Sequence, residues 1–236
     1  MALGPGRTQW DELDDPRNVE PYGAGGAWQD VVRRIEEIHQ PQAEMQGSGS
    51  FVPEGTALRP LPEPEGHTDE LLYEDFLPEE VVGDPALEKW LVLVDGRGRM
   101  RSGYKGEDAP GHHVLHLVSH GTPAEYLAFL RSERIPYLIG GKERVGLAAV
   151  METMHSRLGV TCVLSMAGGR LNGALLRARL IDEVNVLFTP RLIGGCETPT
   201  LYESPDLAED EWPTGLELIS AEVRADGVLW VRYRVA

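Results

Sequence analysis

From Leu91 onward the chain alternates short apolar runs with amphipathic stretches, and this alternation constrains the fold more than any other feature. Leu91 to Asp95, Val114 to Ser119, Pro136 to Ile139, Val160 to Ser165 and Val184 to Thr189 are too short for buried helices and read as strands covered on both faces. Helical patterns lie between them. Pro123 to Arg131 follows Thr122, a candidate N-cap, and Leu147, Val150, Met151, Met154 and Leu158 share one face of a helix that Gly159 ends. A third helix is predicted from Leu171 to Arg179, directly after Ala167-Gly168-Gly169. Strand, turn, helix in repetition predicts an α/β protein built on a parallel sheet. The tail differs: Leu216 to Ala225 and Leu229 to Val235 alternate apolar and polar residues around Ala225-Asp226-Gly227, as an antiparallel hairpin does. A mostly parallel, mixed sheet closed by a C-terminal hairpin is the expectation.

Upstream the text is less regular. Residues 1–26 are polar and rich in Gly, Pro and Asp, which predicts an irregular segment; residues 27–236 are expected to form one domain. Trp28, Val31, Val32, Ile35 and Ile38 line one face of a helix stopped by Pro41. A short strand, Ala43 to Gln46, runs into Gly47-Ser48-Gly49-Ser50, where glycines let a backbone approach a ligand closely. Residues 53–88 are rich in proline and acids and read as a long exposed excursion.

The net charge of −16, with no long basic run, argues against a nucleic-acid partner. The apolar stretches fall short of a bilayer span and the N-terminus lacks a signal-like pattern, so a cytoplasmic protein is expected. Cys162 and Cys196 show no disulfide or zinc spacing. His112, His113, His116 and His120 crowd one strand and its approach, but no cysteine or acid cluster accompanies them, and no metal site is predicted.

The sharpest chemical feature is Val163-Leu164-Ser165-Met166-Ala167-Gly168-Gly169-Arg170-Leu171-Asn172-Gly173, a buried strand that turns through paired glycines into a helix. A helix start offers unpaired N–H groups and partial positive charge, which suits a pyrophosphate. By itself the pattern fits equally a tight turn with no ligand, because it is not the G-x-G-x-x-G fingerprint.

The run from Gly168 to Leu176, continued through Leu180-Ile181-Asp182-Glu183-Val184 and Thr189-Pro190-Arg191-Leu192-Ile193-Gly194-Gly195, resembles the reductase family of bacterial riboflavin biosynthesis. Tyr137-Leu138-Ile139-Gly140-Gly141 and Gly47-Ser48-Gly49-Ser50 extend the similarity to residues 28–235. The resemblance implies a dihydrofolate-reductase-like three-layer α/β sandwich, a homodimer, NADPH as cofactor, and reduction of the ribosyl group of an aminopyrimidine to ribityl. It also implies roles: Gly168, Gly169, Arg170, Leu171 and Asn172 for the pyrophosphate and its ribose, Gly47 and Ser50 for the nicotinamide half. Arg97 and Arg99 read either as a fork for the adenosine 2′-phosphate or as solvated arginines in a glycine-rich turn. Ser119 is either an adenine contact or a plain strand end. Glu54 occupies the place of a substrate-orienting aspartate, or is a solvated glutamate in a proline-rich loop.

Two departures stand out. Met166 replaces a carboxylate that the family places before the paired glycines, and a thioether cannot accept equally strong hydrogen bonds. Met1 to Arg7 matches only the end of the family's first strand, which predicts a sheet short of part of a core strand. A reductase of dihydrofolate or another heterocycle, and a catalytically silent nucleotide-binding homodimer, are the competing readings.

Overall fold

The computed structural model describes residues 25–62, 68–106, 109–190, 192 and 200–236. The opening segment, including Met1 to Arg7, and Cys196 lie outside them. The described residues divide into two compact units, one within 41–168 and one made of 25–40 with those of 169–236.

The 41–168 unit is built on five parallel strands in the order β4-β3-β2-β1-β5: β1 Ala43–Gly47, β2 Lys89–Val94, β3 His112–Val118, β4 Tyr137–Ile139 and β5 Val163–Ser165. Ala43 pairs with Trp90 on one side and with Val163 on the other. The predicted strand at Val160 to Ser165 begins three residues later, because the Gln42 side-chain carbonyl accepts the Thr161 and Cys162 amides at 2.9 and 3.0 Å. Val114, Leu115, Leu117 and Val118 are buried, as strands covered on both faces require.

Helix α4 (Ala124–Ser132) buries Tyr126, Leu127, Phe129 and Leu130 in one cluster with Leu93, Val114 and Val118. It follows, in chain order, α1 (Gly25–His39) and two one-turn helices, α2 (Asp69–Leu72) and α3 (Glu79–Val82). Its N-cap is Pro123 and not Thr122. The Thr122 hydroxyl is engaged elsewhere, donating to the Gly96 carbonyl and accepting the Ser119 amide, both at 3.0 Å. Helix α5 (Leu147–Leu158) ends at Gly159 in the left-handed conformation, φ 68°, as its glycine predicts.

In the other unit, α1 and α6 (Gly169–Arg177) accompany a separate antiparallel sheet in the order β6-β8-β7, formed by β6 Glu183–Phe188, β7 Leu216–Val223 and β8 Leu229–Val235. The hairpin at Ala225–Gly227 is present, and β6 joins it instead of the parallel sheet. Glu183 and Asn185 alternate with Val184 and Val186, a one-sided pattern that suits an antiparallel strand. Arg232 donates to both Glu183 carboxylate oxygens at 2.9 and 3.1 Å, and Asn185 accepts the Trp230 indole N–H at 3.0 Å. Among the described residues no helix is long and apolar enough to cross a membrane.

Candidate functional site

Because all five strands of the 41–168 unit are parallel, their carboxyl ends share one edge, and Gly47, Asp95, Ser119, Gly140 and Met166 all stand there. The chain steps outward from β1 to β4 and returns to place β5 on the other side of β1. Such a reversal opens the crevice in which α/β sheets take ligands.

At the end of β1, Gly47 is extended and Ser48–Ser50 form one 3-10 turn whose Ser48 carbonyl accepts the Phe51 and Val52 amides. Gly49 is exposed, and a side-chain carbon there would find only Arg99 Nη1, at 4.0 Å. The backbone of this turn is therefore open to close approach.

The turn after β2 is held from beneath. Asp95, almost wholly buried, accepts the Arg99 and Met100 amides on Oδ2 at 2.7 and 2.8 Å, a carboxylate-capped turn. Gly98 has φ 64°, and a side-chain carbon would stand 2.8 Å from the Tyr126 ring, so only glycine fits. Three arginines of this segment then hold the excursion that follows β1. Arg97 meets Glu54, Arg99 Nη2 donates to the carbonyls of Val52 and Pro53, and Arg101 Nη1 donates to that of Arg59 at 2.8 Å. Thus Glu54, Arg97 and Arg99 come together, although the sequence suggested opposite ends of a ligand for them.

Ser119 is fully buried, with its hydroxyl donating to the Glu143 carbonyl at 3.2 Å and accepting the Gly121 amide at 3.3 Å. It braces the corner that faces Gly96. The histidines disperse: His113 Nε2 lies 2.7 Å from Asp84, His112 Nδ1 is 3.1 Å from the Pro110 carbonyl and His120 Nδ1 is 3.0 Å from that of Gly141. His116 is buried against Tyr126, and loss of solvation lowers its pKa to about 4 against the opposing charge of Asp95. Burial, then the charge and hydrogen bond of Asp95, push the Tyr126 phenol well up.

At the end of β5 the Met166 amide donates to the Met45 carbonyl at 2.9 Å. Gly168 is exposed, with nothing within 4 Å of where a side chain would begin. Gly169 differs: a side-chain carbon would overlap the Thr200 carbonyl, and the Glu203 amide donates to the Gly169 carbonyl at 2.9 Å. Gly173 is pressed by the Glu203 backbone in the same way. Arg170 is exposed and lies 3.5 Å from the Glu203 carboxylate; Leu171 and Asn172 are half-buried on the first turn of α6.

Asp95 and Tyr126 are the site-shaping residues that motif reading missed. An acid at a strand end followed by Gly-Arg-Gly was the available signal, since Asp caps tight turns through its own side chain.

An all-parallel sheet with open glycine turns at its carboxyl edge defines an α/β protein whose crevice lies where such sheets take ligands. Residues 93–230 match the model of the RibD C-terminal domain, and the chain belongs to that family. A curated protein of Methanothermobacter thermautotrophicus named 2,5-diamino-6-ribosylamino-4(3H)-pyrimidinone 5′-phosphate reductase is 33% identical over 129 residues, 54% of this chain and 57% of that protein. One of the same name from Archaeoglobus fulgidus is 39% identical over 63 residues, 27% of this chain and 28% of that protein. The chain thus spans little more than half the length of the first of these and less of the second. Among solved structures, a pyrimidine reductase-like protein of Corynebacterium diphtheriae superposes with a TM-score of 0.57 at 13% identity, covering 83% of this chain and 76% of that one. Acinetobacter baumannii RibD gives 0.57 at 18% identity, covering 90% of this chain and 51% of that one. These structures share the fold.

Proposed function

We propose that the chain is a nicotinamide-dependent reductase, using NADPH, that acts on a ribosylaminopyrimidine phosphate of riboflavin synthesis. The observation that carries this reading is the open Gly168 corner at the end of β5, beside the equally open Gly49 turn at the end of β1, in a chain of the RibD C-terminal family. Both turns offer backbone groups with no side chain in the way, which fits a dinucleotide laid along the carboxyl edge.

In this assignment the open backbone at Gly168 takes the pyrophosphate. Gly47 and Ser50 border the nicotinamide half, and Arg97 with Arg99 receives the 2′-phosphate. Ser119 shapes the adenine side from within the fold. When bound, the dinucleotide supplies a hydride to the substrate sugar. The protein's part is to align donor and acceptor and to exclude water, which needs few dedicated side chains.

The purified chain is expected to oxidise NADPH when given the ribosylaminopyrimidine phosphate and to leave dihydrofolate untouched. Nucleotide binding without turnover on any heterocycle would favour a silent relative, a reading that Met166 supports by offering a thioether where a carboxylate could anchor substrate. We also propose a homodimer. β7 is an edge strand with Leu216, Leu218 and Val223 exposed, and an apolar edge of this kind calls for a covering strand.

A further inference from the structure

Arg97 and Arg99 converge on one carboxylate. The Arg97 guanidinium meets Glu54 fork to fork, Nη1–Oε1 and Nη2–Oε2 both at 3.2 Å, and Arg99 Nη1 stands 3.7 Å from Glu54 Oε2. The two arginines are held very differently. Arg99 is buried, with Nη2 engaged by the carbonyls of Val52 and Pro53, so its remaining N–H groups are fixed in place. Arg97 is 62% exposed and Glu54 63% exposed. Two guanidinium groups on one carboxylate offer more donors than its two oxygens use, which suits a phosphate monoester with three strong acceptor oxygens.

We infer that Glu54 is an internal competitor for a ribose phosphate monoester at the Arg97–Arg99 pair. Its carboxylate fills the site when no phosphate is present and yields to one that arrives. It thereby sets how strongly the site prefers a phosphorylated ligand over the same ligand with a hydroxyl. This rests on the dinucleotide reading above and deepens it.

The magnitudes favour exchange. An exposed ion pair biases its partners by roughly five-fold at most, whereas a phosphate monoester brings about −1.5 to −2 charges and three strong acceptors. The carboxylate also has somewhere to go. The Glu54 side chain is 63% exposed, so its carboxylate can turn out into solvent while Arg99 keeps Val52 and Pro53 in place. A ligand without the phosphate leaves the Glu54–Arg97 pair intact and gains nothing from it.

The phosphate could arrive on the 2′ position of the dinucleotide or on the 5′ position of a substrate pentose. The chemistry is shared, and the experiment separates them. Calorimetric titrations of the full chain with NADPH, NADH and ribose 5-phosphate are compared for the wild type, Glu54→Gln, Arg97→Ala and the double variant. Glu54→Gln is expected to tighten NADPH roughly two- to five-fold and to leave NADH unchanged, and the gain should vanish when Arg97 is also removed. A gain for ribose 5-phosphate with none for NADPH assigns the site to the substrate's phosphate and upholds the competition. If both dinucleotides bind the wild type and Glu54→Gln changes neither NADPH nor ribose 5-phosphate, the inference is overturned while the dinucleotide reading stands. If neither dinucleotide binds the wild type or Glu54→Gln, that reading falls, and without a gain for ribose 5-phosphate the inference falls with it.

Discussion

The Tyr126 hydroxyl donates to Asp95 Oδ2 at 2.9 Å, and the same oxygen accepts the backbone amides of Arg99 and Met100. A residue of α4 thus fixes the carboxylate that shapes the turn carrying Arg97 and Arg99. Tyr126→Phe removes one hydrogen bond from a buried acceptor that keeps two others, and should cost about 1–2 kcal/mol. Asp95→Asn keeps an oxygen for the two backbone amides but loses the charge and buries an NH2 group where Oδ1 has no hydrogen-bond partner, and should cost about 2–3 kcal/mol while weakening any phosphate-dependent affinity. Urea unfolding beside NADPH and NADH titrations would check both. A stable Asp95→Asn protein with unaltered discrimination would show that the turn needs no carboxylate.

His116 makes stability depend on pH in a defined window. Above its ordinary value of 6.5 the imidazole is neutral folded or unfolded and contributes nothing to the difference. As the pH falls toward about 4 the unfolded chain takes up a proton that the buried ring refuses, so stability is lost, by about 3 kcal/mol in all. The decline should begin below pH 6.5 and end below 4, and His116→Asn should flatten that part of the curve in denaturant titrations taken at several pH values.

The paired glycines should respond differently to the same substitution. Gly168→Ala adds a methyl group to open space and is expected to keep stability within about 0.5 kcal/mol, so a fall in dinucleotide affinity would report ligand approach. Gly169→Ala drives a methyl group into the Thr200 carbonyl and should lower stability by about 2 kcal/mol or more. Equal thermal stabilities for the two variants would contradict this division.

Much of the fold was legible because short apolar runs and helical faces carry their own period. The strands at 43–47, 89–94, 112–118 and 137–139 fall within about two residues of their sequence limits, as boundaries of apolar runs do. The contact between Glu54 and Arg97 was not legible, since 43 residues separate them and no local period links an exposed loop to a turn. Gly169 was ambiguous for a deeper reason. A ligand's phosphate and a neighbouring carbonyl impose the same steric demand on a backbone, so a glycine cannot say which of them is coming. Thr122 illustrates the same limit, because a hydroxyl ahead of a helix can equally serve the turn before it.

Association should depend on β7. Leu218, 61% exposed, and Val223, 80% exposed, are apolar side chains on an edge strand. Leu218→Lys is expected to shift the protein from dimer to monomer in sedimentation velocity without loss of the folded signal in circular dichroism. A monomeric wild type at micromolar concentration would remove the dimer proposal.

The connection between β1 and β2 departs from the edge where a ligand would arrive, and arginine side chains anchor its first stretch to the turn after β2. Nothing in the strand ladder depends on the composition of that stretch. Its exposed residues, 54–60, can be rewritten while Phe51 and Val52 keep their packing against the core, so a change of ligand in descendants of this chain would be written there first.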